Sequence, residues 1–121
     1  MANLFTFDPT SEFDTEERCF INELSNSNKD EECSIALARV EPGVTTQVHS
    51  LSDTVERYVI IEGTGRIESG SLTGQDVKRF DTVIIPADEP QSITNTGKQD
   101  LVFLCVCTGR FQPENYLKLS D

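Results

Sequence analysis

The chain has 121 residues, with 10 Lys and Arg against 21 Asp and Glu, for a formal net charge of −11. That length suits one domain around one core. So acidic a chain repels phosphate backbones and anionic lipid surfaces, which excludes nucleic acid and a polybasic membrane contact as main partners. In chain order, residues 1–16 are polar and acidic with Phe5, Phe7 and Phe13 interspersed, and are expected to form an arm that docks through its aromatics. No basic start followed by an apolar stretch is present here, so no secretory signal is read. The four cysteines are then expected as reduced thiols in the cytoplasm.

From residue 17 to 109 short runs rich in Val, Ile, Thr and Phe alternate with clusters of Gly, Pro, Asn, Asp and Ser, which is the pattern of an all-β domain. The predicted strands are Glu17–Leu24, Cys33–Glu41, Thr46–His49, Glu56–Glu62, Arg66–Ser69, Asp76–Arg79, Thr82–Ile85, Gln91–Asn95 and Leu101–Thr108. Nine short strands in one small domain imply a sandwich or barrel. The longest apolar run, Leu101 to Cys107, is too short to cross a bilayer. Residues 110–121 are expected as a tail, either one helical turn or an extended segment packed on the barrel.

Period-two alternation sorts several strands into faces. Cys33, Ile35 and Leu37 share one face with Arg39, and Ser34, Ala36 and Ala38 share the other. Glu56 lies on the face of Tyr58 and Ile60, and a buried carboxylate there needs a metal, a cation or hydrogen-bond donors. Cys105 and Cys107 project to one face with Cα atoms roughly 6.6–6.8 Å apart, at the upper edge for a bridge, so all four thiols are expected free.

The single histidine, His49, precedes Glu56 by seven residues. If the intervening loop closes a hairpin, imidazole and carboxylate meet across neighbouring strands as part of a divalent metal site.

The spacing around this pair resembles the cupin superfamily. Gly43, five residues, His49, a spacer, Leu51, four residues, Glu56, six residues and Gly63 follow its first motif, with Leu51 where a second histidine belongs. Phe80, Pro86, Asp88, Gln91 and Asn95 follow its second motif, with Phe80 and Asp88 in place of glycines and Gln91 in place of a histidine. The resemblance implies a single-domain cupin, an antiparallel β-barrel or jelly roll. A cupin metal shell usually has three histidines and one glutamate; here His49, Glu56 and Gln91 remain as candidate ligands for Zn, Ni, Mn or Fe. Tyr58 is a candidate hydrogen-bond donor to a ligand or a core residue, and Val48, Leu51, Ile60, Ile84 and Ile93 are the candidate cavity lining. Arg39 either reaches the barrel mouth to bind an acidic substrate or pairs with a local carboxylate.

Three functions remain open from these residues. One is a metal-dependent dioxygenase or isomerase that binds a small organic molecule. Another is a metal-free binding or sensor barrel in which His49, Glu56 and Gln91 form a hydrogen-bonded cluster. The third is a structural role in assembly. Cupins of this size commonly pair terminal strands, which also covers sheet edges, so a homodimer is expected.

Overall fold

A computed structural model describes residues 1–120, and strand is its main regular element. The strands are β1 (Phe13–Asp14), β2 (Phe20–Ser25), β3 (Ser34–Val40), β4 (His49–Leu51), β5 (Val55–Glu62), β6 (Gly65–Ser69), β7 (Leu72–Val77), β8 (Thr82–Ile85), β9 (Gln91–Asn95), β10 (Leu101–Thr108) and β11 (Tyr116–Lys118). Two short 3-10 turns, Pro9–Ser11 and Pro113–Asn115, precede β1 and β11. A six-stranded sheet runs β1-β2-β3-β10-β5-β8 and a five-stranded sheet runs β11-β4-β9-β6-β7. Every pairing in the two ladders is antiparallel. This is the all-β jelly roll that the spacing predicts. Among the described residues no helix is long and apolar enough to cross a membrane.

Alternation decides which side chains enter the space between the sheets. In β10, Leu101, Phe103, Cys105 and Cys107 are buried, and in β5, Glu56, Tyr58 and Ile60 are buried, with less buried residues between them. The same core takes Ala38 and Val40 from β3, Ile67 from β6, Ile85 from β8 and Ile93 from β9. Burial of these apolar surfaces is the main force closing the sheets on each other.

Two motif residues hold the frame rather than the chemistry. Gly63 sits at φ 84°, and a Cβ there would lie 2.8 Å from the Asp100 carbonyl oxygen, so the turn after β5 needs a residue without one. The Asn95 amide donates to the Val40 and Gln99 carbonyls at 2.8 and 2.7 Å, and its Oδ1 accepts from the Gly97 N–H at 2.9 Å. All of its polar atoms are thereby spent on loop geometry.

The structure departs from the expected strands where turns intervene. The strand expected over Glu17–Leu24 begins only at Phe20, because Arg18 turns at φ 62°. His49 begins β4 rather than ending a strand, and Thr45 meets Thr94 only as an isolated bridge. The strand expected at Asp76–Arg79 is β7, displaced to Leu72–Val77, because the β6–β7 hairpin turns tightly at Gly70 with φ 55°. The tail is both a turn and a strand: β11 adds to the edge of β4. Phe5 and Phe7 are 51% and 59% exposed, so these aromatics do not dock the arm on its own barrel. Phe13 pairs with Ile21 of β2 and faces the cavity, and polar contacts fasten the rest: the Asn22 amide donates to the Asp8 carbonyl, and Glu12 pairs with Arg39.

Candidate functional site

Between the sheets lies a cavity of about 450 Å³. β3, β5 and β10 form one wall, β4 another, and Phe13, Glu16, Glu17, Phe111, Pro113 and Tyr116 frame it from the two ends of the chain. Its size is that of a small-molecule site, and its lining mixes aromatic and apolar side chains with a few polar groups.

His49 comes from the five-stranded sheet and faces Gln91 across the β4–β9 register. Its Nδ1 is 2.8 Å from the Gln47 carbonyl oxygen. A carbonyl only accepts, so this nitrogen carries the proton and donates it, which leaves Nε2 as the basic nitrogen. The ring stacks on Tyr116, with centroids 4.7 Å apart and planes 16° from parallel. Glu17 Oε2 lies 3.8 Å from Nδ1, and Tyr116 neighbours the same carboxylate. Burial raises the Glu17 carboxyl above its usual range, while His49 and Tyr116 draw it back down.

Glu56 comes from the opposing sheet. Its Oε2 accepts a weak contact from the Cys107 thiol at 3.8 Å, and its Oε1 is buried with no hydrogen-bond partner. Burial, and then the charge of Glu17, push the carboxyl up to about 7; Cys105, Gln91 and Cys107 act in the opposite direction. Near neutral pH this side chain is poised between acid and carboxylate. Tyr58, packed against Phe103 with ring centroids 4.5 Å apart, donates its hydroxyl to Gln91 Oε1. Burial holds the Tyr58 phenol well above its ordinary value.

The cavity thus brings together four of the expected site residues: His49, Glu56, Tyr58 and Leu51. Gln91 is 1% exposed and stands behind Tyr58, bonded to its hydroxyl. Arg39 does not belong to the cavity. It shares the outward face of Ile35 and Leu37, where Glu12 holds it at 2.6 Å and Asp100 at 3.2 Å, with its guanidinium 4.2 Å over the Phe20 ring. Of its two expected roles, the structure shows the pairing with local carboxylates rather than a contact to an acidic substrate, and that pairing fastens the arm to β3. Of the expected lining, only Leu51 reaches the wall. Ile60 and Ile93 are core, Val48 is half-buried elsewhere, and Ile84 is 64% exposed because β8 places Val83 and Ile85 inward.

Sequence reasoning missed Glu17 and Tyr116, which carry no motif and reach the cavity through the turn before β2 and the β11–β4 pairing. Cys19, Cys105 and Cys107 also line the cavity, and all four cysteines are free. Burial first, and then nearby carboxylates, raise these three thiols, so they stay protonated and weakly reactive.

As placed, these side chains do not fit a divalent transition metal. Leu51 has no donor atom, the Gln91 oxygen is engaged by Tyr58, and among the described residues no three His, Cys, Asp or Glu converge as ligands.

A double-sheet barrel with this polar interior defines a small jelly-roll domain of the cupin type. Residues 36–107 match the family described as "Cupin domain", and the chain belongs to that family. Uncharacterized protein MJ1618 of Methanocaldococcus jannaschii is 33% identical over 103 residues, covering 82% of this chain and 80% of that protein. A structure of Streptomyces PAC13 with uridine superposes with a TM-score of 0.82 at 12% identity, covering 99% of this chain and 92% of the other. A predicted oxalate decarboxylase from Thermotoga maritima superposes with a TM-score of 0.66 at 26% identity, covering 74% and 79%.

Proposed function

We propose that this cupin binds a small organic molecule in its cavity and exchanges a proton with it through His49 and Glu56, without a metal. The observation that carries the reading is the partnerless buried Oε1 of Glu56 on the wall of a 450 Å³ cavity that His49 lines from the opposing sheet. A buried carboxylate with an empty acceptor position costs stability unless something occupies it. A ligand donor would fill that position once the carboxyl turns its Oε1 from the packed wall into the cavity.

The roles follow from the geometry. Nδ1 of His49 is tied to Gln47, so Nε2 is the atom that takes a proton. Glu17 and Tyr116 hold the ring in plane and stabilise the imidazolium that results. Glu56, near neutrality, gives a proton to the ligand or receives one from it. Tyr58 and Gln91 form a fixed pair that shapes the wall. Two groups that pass protons to and from one bound molecule perform isomerisation or elimination chemistry. A structural neighbour described as a nucleoside dehydratase, which carries out an elimination, is in keeping with that class. The free thiols suit the reducing, cytoplasmic setting expected for the chain.

The test is thermal unfolding of untagged protein against a library of small polar and aromatic fragments, beside elemental analysis. Fragments that raise the midpoint for the wild type should lose their effect on Leu51→Trp, which fills the cavity. Hits that stabilise both proteins equally would place binding elsewhere. Zinc, nickel, manganese or iron at one equivalent, held by His49, Glu56 and Gln91, would replace this reading with a metal-dependent oxygenase or isomerase.

A further inference from the structure

We propose that the cavity selects organic cations, in particular an amine carried as its ammonium form on an apolar or aromatic body. The inference rests on the cavity being a ligand site and names the chemical class of that ligand.

The lining is one-sided in charge. Glu16, Glu17, Glu23 and Glu56 lie on it, and among the described residues no lysine or arginine does. The arginines next in sequence to cavity residues are committed elsewhere: Arg39 to Glu12 and Asp100, Arg18 to the Thr45 carbonyl at 2.8 Å, Arg57 to the Val55 carbonyl and the Thr108 hydroxyl, and Arg110 to Glu31 and Asn26. His49 is the one basic side chain on the wall, and it is shared with Glu17. The acidic groups run inward, from the exposed Glu16 and Glu23, past half-buried Glu17, to Glu56 on the buried wall. The second observation is independent of that count. Glu56 is only 7% exposed, and its Oε1 has no hydrogen-bond partner. Its Oε2 accepts a weak contact from the Cys107 thiol at 3.8 Å, so the carboxyl keeps spare acceptor capacity.

An ammonium group offers three donors and no acceptor, which matches a wall whose unfilled polar position is an acceptor. A carboxylate ligand would bring more acceptors and more negative charge into a site that already repels itself. Burial first, and then the charge of Glu17, raise the Glu56 carboxyl. The walls suit the rest of the molecule. Phe13, Tyr58, Phe103, Phe111 and Tyr116 line the cavity, and aromatic faces attract cations as well as apolar groups. The net charge of −11 draws cations toward the whole surface.

The experiment is calorimetric titration of untagged protein at pH 8 and low salt with three probes of similar shape: phenethylamine, 2-phenylethanol and 3-phenylpropionate. At this pH the amine and the propionate are ionised. The amine should bind about tenfold or more tightly than the alcohol, a difference of about 1.4 kcal/mol, and the propionate should not bind. Glu56→Gln should cut the amine's preference over the alcohol to near unity. Glu17→Gln should also reduce it, which keeps the result readable if one variant folds poorly. Equal binding of amine and alcohol, preference for the propionate, or an unchanged preference in both folded variants would overturn cation selection. Binding of the alcohol alone would overturn it while leaving the ligand cavity standing. No binding by any of the three would overturn both.

Discussion

Glu56→Gln replaces an ionisable carboxyl by a neutral amide of nearly the same shape, so the pH dependence of its effect on stability reads the charge. In the folded chain, burial and the Glu17 charge move the Glu56 carboxyl from 4.5 to about 7. That gap corresponds to about 3 kcal/mol of preference for the protonated form. Between pH 4.5 and about 7 the folded protein holds a proton that the unfolded chain has released. Unfolding then releases protons, so stability falls as pH rises through this window and levels off above it. The variant has no such group. Its advantage over the wild type should grow from small values near pH 5 to about 3 kcal/mol at pH 8 and above. Urea unfolding followed by circular dichroism at several pH values between 5 and 8.5, with both proteins free of ligand, measures the difference. Other carboxylates titrate in both proteins and largely cancel. A gap that stays constant with pH, or one that shrinks as pH rises, would refute the reasoning. It would mean that Glu56 is ionised and compensated in the folded state.

Three further outcomes are expected. Tyr58→Phe leaves the buried Gln91 oxygen without its donor and should cost about 1–3 kcal/mol in the same unfolding assay, with no loss of fold by circular dichroism. A thiol-reactive chromogen in denaturant without reductant should count four thiols; in native protein the half-buried Cys33 should react fastest, because Cys19, Cys105 and Cys107 are buried. Light scattering should give twice the monomer mass, since Leu4, Phe5, Phe7 and Ile84 are left exposed on a single chain and a second copy would cover them; a clean monomer at micromolar concentration would contradict this.

Much of the barrel was legible in the sequence because its signals are local. Turn residues punctuate the chain, strand alternation has period two, and the two spaced motifs from Gly43 to Asn95 reflect ladder registers such as His49 with Gln91. The position of Glu56 beside Tyr58 and Ile60 already marked a carboxylate on an inward face, and the structure buries all three. Alternation alone, however, separates two faces without saying which is inside. In β3 the small residues Ser34, Ala36 and Ala38 line the cavity, while the larger Ile35 and Leu37 turn outward with Arg39. Space for a ligand requires small side chains on the inner wall, and only the opposing sheet reveals that space. The partners of His49 were hidden for a related reason. Glu17 stands 32 residues before it and arrives through the left-handed turn at Arg18. Tyr116 stands 67 residues after it and arrives because β11 pairs with β4. Hydrophobic period and motif spacing report on neighbours along a strand. Contacts between the two ends of the chain depend on how the sheets close, and the folded structure alone decides that.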